Sequence, residues 1–211
     1  IIDAAAERGV QALSFTGGEP MLMAKELARL IRYAGGAGIR FIRTGTNGFF
    51  LKDSGSRGFE DRIKKIAESL AETPLRNFWI SVDSAIPEVH ERMRGFPGVV
   101  RGMARAIPIF HASGIYPSAN LGINRNIGGT TTAGLIPPRS SEDGLYLETF
   151  EKSFLQAFRD FYRFVIDLGF TIVNCCYPMS VGGHGKADDL RSVYGANSED
   201  RIIHFSTHEK Q

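Results

Sequence analysis

The stretch Phe15-Thr16-Gly17-Gly18-Glu19-Pro20 begins at the last residue of a short apolar run, 11–15, and ends that run. Two successive glycines let the backbone approach a ligand closely and expose its N–H and C=O groups. Glu19 adds a carboxylate to this turn, and Pro20 opens the segment that follows. The composition suits a ligand that carries an ammonium group, although a Gly-Gly-Glu turn standing alone is also a common loop.

On both sides of this turn, short β-rich runs alternate with longer stretches whose apolar residues recur every three or four positions. This alternation predicts repeated βα units and an α/β fold with a parallel sheet. The predicted strands are 11–15, 39–43, 77–82, 117–123 and 170–175. The predicted helices are 2–9, 24–33, 61–71, 99–112 and 149–168, and the aromatic stripe of the last is typical of core packing.

Small polar side chains follow the next two predicted strands, as Thr46-Asn47-Gly48 and as Ser81-Val82-Asp83. In a barrel of parallel strands the active site forms at the carboxyl ends of the strands. Ser81 and Asp83 alternate with Val82, so their side chains are expected to share the inner face of the barrel. Taken singly, Asn47-Gly48 is a turn and Asp83 a helix cap, but three polar strand ends in succession predict a binding site.

These three strand ends, followed by Pro87-Glu88-Val89-His90-Glu91-Arg92-Met93-Arg94-Gly95, resemble the radical S-adenosylmethionine (SAM) superfamily. The likeness is closest to the branch that contains the molybdenum-cofactor cyclisation enzyme and the peptide- and cofactor-maturing enzymes. It covers nearly the whole chain and implies a partial (β/α)6 TIM-like barrel of parallel strands. Residues 1–211 would form strands two to six of one core domain, with the first strand missing and a long loop insertion at 127–148.

The resemblance also implies a SAM site built from the ends of five strands. Its members are Gly17, Gly18, Glu19 and Pro20 for the methionyl ammonium, Thr46 and Asn47 near the methionyl group, Ser81 and Asp83 near the carboxylate and ribose, Asn124 and Asn126 near the ribose, and Pro178 beside the adenine. Arg125, between the two asparagines, is the alternative partner of a carboxylate or of the substrate.

The cysteine content departs from the family pattern. Members of the family hold a [4Fe-4S] cluster in a Cys-x-x-x-Cys-x-x-Cys loop, whereas this chain has two cysteines, Cys175 and Cys176. Neighbouring residues on a strand point to opposite faces, so these thiols are not expected to converge on one metal. The expectation is that the cluster loop precedes Ile1, with loss of the loop as the competing explanation, and that the chain as given does not cleave SAM.

The activity that the resemblance implies is reductive cleavage of SAM to a 5′-deoxyadenosyl radical, which abstracts hydrogen from an unknown substrate. It implies two partners, a small-molecule or peptide substrate and a one-electron donor such as a flavodoxin or ferredoxin. One alternative is a catalytically silent barrel that binds a peptide or a partner protein. Another is a phosphate-handling barrel, against which the negative charge of Glu19 argues.

Composition excludes several classes of protein. The 25 basic and 23 acidic residues leave a formal charge of +2, too small to indicate a nucleic-acid or membrane surface. No apolar run approaches the roughly 20 residues that cross a bilayer, and the first residues lack the order of a signal peptide. Together with the low cysteine content, these features predict a cytoplasmic protein.

Two further features of the sequence, a long stretch and a histidine, lead to structural predictions. The stretch at 127–148 is rich in Gly, Thr, Pro and Ser, and its length predicts an irregular segment, either a lid or a plain surface loop. His90 falls near the start of a helix after Asp83, and a structural role is favoured for it.

Overall fold

The computed structural model describes residues 1–135, 144–176, 203, 205, 206 and 208–210. Its centre is a five-stranded sheet in which every neighbouring pair is parallel and the spatial order of the strands equals their order along the chain. The strands are β1 (Ala12–Phe15), β2 (Phe41–Thr46), β3 (Leu75–Ser81), β4 (Ser118–Gly122) and β5 (Ile172–Cys176). The predicted α/β fold, a partial barrel of parallel strands, is confirmed.

Seven α-helices lie within the described ranges. They are α1 (Ile2–Glu7), α2 (Ala24–Gly36), α3 (Phe59–Ala71), α4 (Pro87–Arg94), α5 (Val99–Ala112), α6 (Thr130–Ala133) and α7 (Gly144–Asp167). Short 3-10 helices follow β1 and β2, at Pro20–Met23 and Phe49–Leu51, and a third lies at His208–Lys210. No helix in the described part of the chain combines the length and apolar character that a membrane crossing requires.

The two faces of the sheet differ in character because successive strand residues point to opposite sides. One face is apolar and packs on the helices, where it forms a single core with buried helical side chains such as Ile31, Phe110 and Phe161. We call the other face the lumen face, since it corresponds to the inside of a barrel. Its members include Ser14, Arg43, Gly45, Asn77, Trp79, Ser81, Ser118, Asn120 and Asn174.

Helix α5 approaches the end of β2 unusually closely. A Cβ atom at Gly102 would lie 1.8 Å from the carbonyl oxygen of Leu51, in the 3-10 helix after β2. A Cβ at Gly48 would lie 3.3 Å from Val99, the first residue of α5. The backbone of α5 therefore rests directly on the turn that follows β2, and glycine at position 102 makes this possible.

Several predicted boundaries differ from the structure. Strand β2 runs to Thr46 instead of ending at 43, because its last three residues pair with Phe78, Trp79 and Ile80 of β3. The stretch at 127–148 is not irregular throughout, since α6 lies within it and α7 begins at Gly144. In this first part of α7 the Tyr146 ring packs near that of Phe150, with centroids 6.1 Å apart, and extends the four-residue aromatic spacing.

Some predictions fall on residues that the structure does not describe. Residues 136–143 of the stretch at 127–148 lie outside the described ranges, as does Pro178. The single-domain assignment of 1–211 and the role of Pro178 beside an adenine therefore stay predictions.

Candidate functional site

The carboxyl ends of β1 to β4 meet at one edge of the sheet, because the strands are parallel and paired in register. This is the edge at which parallel α/β barrels bind ligands. The predicted site residues from Gly17 to Asn126 all lie at or just beyond these strand ends. The structure thus brings the predicted strand ends together, and the contacts of each side chain define what it can do there.

The turn after β1 is open to solvent. Gly17 and Gly18 have φ angles of +92° and +55°, values at which a side chain would be strained, and both residues are exposed. A Cβ atom at either position would have no neighbour within 4 Å. The glycines are therefore required by the backbone conformation, and the space beside them is available to a ligand.

Glu19 connects the first two strand ends. One carboxylate oxygen, Oε1, accepts a hydrogen bond from the Met21 N–H at 3.0 Å and so caps the 3-10 helix that follows. The other, Oε2, accepts from the Asn47 N–H at 2.7 Å, across to the end of β2. A carboxylate offers about four lone-pair sites. Both oxygens are therefore held in place while retaining capacity to accept from a ligand.

Thr46 and Asn47 shape the turn after β2. The Thr46 hydroxyl is buried and accepts from the Gly48 N–H at 3.0 Å, while Asn47 Oδ1 accepts from the Phe49 N–H at 3.0 Å. Gly48 has a φ of +85°. The Asn47 amide nitrogen has no hydrogen-bond partner among the described residues, so it is the group at this strand end that remains able to donate to a ligand.

Asp83 is held by helix α4. The Arg94 guanidinium donates to both of its oxygens, from Nε and Nη2 at 2.6 Å each, and His90 Nδ1 accepts from the Asp83 N–H at 3.1 Å. Asp83 is 6% exposed and His90 is fully buried. The structural role favoured for His90 agrees with this contact. Ser81, by contrast, has no side-chain hydrogen bond within the described residues.

The charge state of Asp83 follows from these contacts. Burial favours the neutral acid and works to raise the pKa, but the Arg94 guanidinium, which donates to both oxygens, favours the carboxylate more strongly. The pKa of Asp83 is therefore lowered from its ordinary value. The ionised Asp83 side chain joins the end of β3 to α4. The sequence predicted that the side chains of Ser81 and Asp83 would both face the inside of the barrel, but the Asp83 carboxylate is buried against Arg94.

Asn124 fastens the fourth strand end to the third. Its amide nitrogen donates to the carbonyl oxygens of Asp83 and Gly122, both at 2.9 Å, and its Oδ1 accepts from the Asn126 N–H at 2.8 Å. Asn124 is 2% exposed. Asn126 directs its own amide toward Met93 Sδ, 3.6 Å away. These two side chains therefore position the strand ends through contacts within the protein.

Arg125 meets a carboxylate of the chain itself. Its Nη2 lies 2.8 Å from both oxygens of Glu209, in the 3-10 helix His208–Lys210, and its guanidinium lies 4.8 Å from the ring centroid of Phe205. The Tyr146 hydroxyl donates to the same carboxylate, and burial together with this hydrogen bond raises the pKa of Tyr146 to about 12. The sequence offered Arg125 as a partner for a carboxylate or the substrate at the proposed site, whereas in the structure its guanidinium pairs with a side chain of the same chain, Glu209.

The two cysteines contact different elements. Cys175 Sγ lies 3.6 Å from the Tyr162 hydroxyl of α7, whereas Cys176 Sγ lies 3.7 Å from the Leu121 carbonyl oxygen of β4. Across the described ranges, no group of three or more His, Cys, Asp or Glu side chains is arranged to hold a metal ion. The described residues therefore do not fit an iron-sulfur cluster.

Comparison with known proteins gives two results. A family model described as the radical SAM superfamily matches residues 1–128, which include the four strand ends described above. An AdoMet-dependent heme synthase of Oleidesulfovibrio alaskensis is 30% identical over 126 residues. That match covers 60% of this chain and 29% of the relative, so the chain spans less than a third of the heme synthase.

Proposed function

The chain belongs to the radical SAM superfamily, and on this basis we propose that the turn after β1 binds the methionyl ammonium of SAM. Membership of the family supports SAM-dependent radical chemistry in general and the status of an enzyme. The specific proposal is that the intact protein cleaves SAM reductively and uses the resulting 5′-deoxyadenosyl radical to abstract hydrogen from a substrate. A one-electron donor, such as a flavodoxin or ferredoxin, and a cytoplasmic location belong to the same proposal.

The geometry of Glu19 carries this proposal. An ammonium group needs acceptors, and the Glu19 carboxylate is fixed by two backbone N–H groups while still having lone pairs to offer. The open turn at Gly17 and Gly18 adds exposed backbone next to it. Pro20 begins the 3-10 helix that Glu19 caps, so this residue sets the direction of the chain behind the site.

The remaining residues of the proposed site fall into two groups, those with polar groups left for a ligand and those whose polar groups contact the chain itself. Asn47 and Ser81 keep polar groups that no other described residue uses, and we assign them to contacts with the methionyl group and the carboxylate or ribose. Thr46, Asp83, Asn124 and Asn126 are proposed to act as positioning residues, because their polar side-chain groups contact other parts of the chain. Pro178 is proposed beside the adenine on the family resemblance alone.

The proposed roles concern binding and orientation. When bound, SAM supplies the adenosyl group with which the family abstracts hydrogen. The residues named above would hold its methionyl end at the carboxyl edge of the sheet, near the polar lumen face. The family also implies an iron-sulfur cluster, but the described residues provide no set of ligands for one.

Replacing Glu19 by glutamine tests this proposal. Glu19→Gln keeps the size of the side chain but removes its charge, and hydrogen bonds to charged groups contribute about 1.5–3 kcal/mol. We expect the affinity for SAM, measured by isothermal titration calorimetry, to fall by about 10- to 100-fold. Glu26→Gln, an exposed substitution on α2, is the matched control and should leave the affinity unchanged. Equal affinity of the Glu19 variant and the unaltered chain would refute the assignment.

A further inference from the structure

The lumen face carries a connected set of neutral polar side chains. The Ser118 hydroxyl accepts hydrogen bonds from the amide nitrogens of Asn77 and Asn174, at 3.1 and 3.3 Å, so one residue of β4 joins β3 and β5. Ser118 is buried, whereas Asn77 is half-buried and Asn174 is exposed. A barrel interior that served packing alone would be apolar. Polar groups in these positions indicate that this surface contacts a polar ligand.

An aromatic ring lies beside this set. Trp79 is half-buried, and its indole occupies the space above Gly45 on the neighbouring strand, where a Cβ atom would lie 2.0 Å from the ring. Gly45 therefore makes room for the indole. The Arg43 guanidinium lies over the same ring, 5.9 Å from its centroid. The Trp79 ring, which lies over Gly45, is therefore an apolar surface with the Arg43 guanidinium at its edge.

The positive charge of Arg43 is not compensated by the sheet. None of the five described strands contains Asp or Glu, and Arg43 forms no ion pair within the described residues although it is exposed. The hydroxyl of Ser14, which is paired in register with Arg43 on β1, is buried without a hydrogen-bond partner in the described part of the chain. The other strand cation, Arg76, lies at the register shift between β2 and β3, where Ile42 pairs with Leu75 and Arg43 pairs with Asn77, so Arg76 is not paired with a residue of β2.

We propose that Arg43 binds a carboxylate of the substrate on the lumen face, with Trp79 against the adjoining apolar part and the asparagines Asn77 and Asn174 nearby. A guanidinium with free N–H donors pairs with an oxyanion in bidentate geometry. One guanidinium among neutral amides matches the single charge of a carboxylate better than the larger charge of a phosphate monoester. This inference rests on the proposed function, since it names the class of substrate for the same barrel.

The chain offers a direct reporter for this site. Trp79 is the single tryptophan, so its fluorescence reports on the lumen face alone. The 211-residue chain is titrated with benzoate, with benzamide and with inorganic phosphate at constant ionic strength, in the absence of SAM. We expect benzoate to change the Trp79 emission saturably, and benzamide and phosphate to require at least about tenfold higher concentrations for the same change.

Variants identify the group responsible. Arg43→Gln is expected to weaken benzoate binding by about tenfold and bring it to the level of benzamide, whereas Arg43→Lys should keep part of the preference because it keeps the charge. Arg159→Gln, an equal change of charge at an exposed position of α7, should behave like the unaltered chain. Circular dichroism verifies that each variant is folded.

The outcomes separate this inference from the proposed function. Equal responses to benzoate and benzamide, or an unchanged benzoate titration in Arg43→Gln, would overturn the carboxylate site. Phosphate binding as tight as benzoate binding would also overturn it, in favour of a phosphate-bearing substrate. None of these results bears on Glu19, because no SAM is present; conversely, a failed SAM titration would leave a positive benzoate titration standing.

Discussion

Gly102→Ala is expected to lower the free energy of unfolding by about 2–4 kcal/mol. The added methyl group would lie 1.8 Å from the Leu51 carbonyl oxygen, which belongs to backbone and cannot rotate away. Helix α5 must therefore move off the turn after β2. The higher helix propensity of alanine offsets only about 1 kcal/mol of this cost. Equilibrium denaturation with urea, read by far-UV circular dichroism, measures the difference.

The matched control is Gly36→Ala at the end of α2. Gly36 is also a helical glycine, but a Cβ atom there would have no neighbour within 4 Å. The same substitution should be neutral or should stabilise the chain by up to about 1 kcal/mol. If the two variants unfolded at the same urea concentration, the close approach of α5 to Leu51 would not be the reason for glycine at position 102.

Arg94→Met is expected to cost about 3 kcal/mol of stability at pH 7. The substitution leaves the Asp83 carboxylate buried without its bidentate partner, and breaking a buried pair by removing one member costs about 3–5 kcal/mol; we take the lower end because the Arg94 side chain is 26% exposed. Arg92→Met, at an exposed position of the same helix, is the control, and it should change stability by less than about 0.5 kcal/mol.

The penalty should depend on pH in a defined direction. In the unaltered chain the folded-state pKa of Asp83 is lowered, so its stabilising contribution is present above the unfolded pKa of about 3.9 and is lost as the pH falls through the folded pKa. In the variant, burial acts without the Arg94 charge, and protonation of Asp83 removes the penalty. The stability difference between the two chains should therefore shrink from pH 7 toward pH 3.5. A difference that is constant over this range would contradict the role of the Asp83 charge.

The strands and helices that follow from local sequence patterns could be predicted from the sequence. The apolar runs of β1, β3, β4 and β5 and the amphipathic stretches between them are local, so their presence and order follow from the sequence. The end of β2 could not be predicted in this way. Its Thr44-Gly45-Thr46 segment is small and polar, and it is a strand because β3 pairs with it and because Gly45 gives space to the Trp79 ring.

For the candidate site, the common location of its residues was predictable from the sequence, but their contacts were not. The order of the polar strand ends places Glu19, Asn47 and Asp83 at one edge of the sheet, as the structure confirms. Their hydrogen bonds depend on tertiary geometry. Arg94 reaches Asp83 only because α4 folds back on the strand end, and Glu209 reaches Arg125 across 84 residues of sequence. No periodicity or motif connects residues so far apart.

The spatial order of the strands has a consequence for how the protein is made. Each strand from β2 to β5 pairs with the strand immediately before it in the chain, so its partner has already been synthesised when it leaves the ribosome. The sheet can therefore grow by one βα unit at a time during translation. The hydrogen bonds from Asn47 to Glu19 and from Asn124 to Asp83 follow the same direction, because in each a later residue donates to an earlier one. The carboxyl edge of the sheet, where the candidate site lies, is thus completed in the order of synthesis.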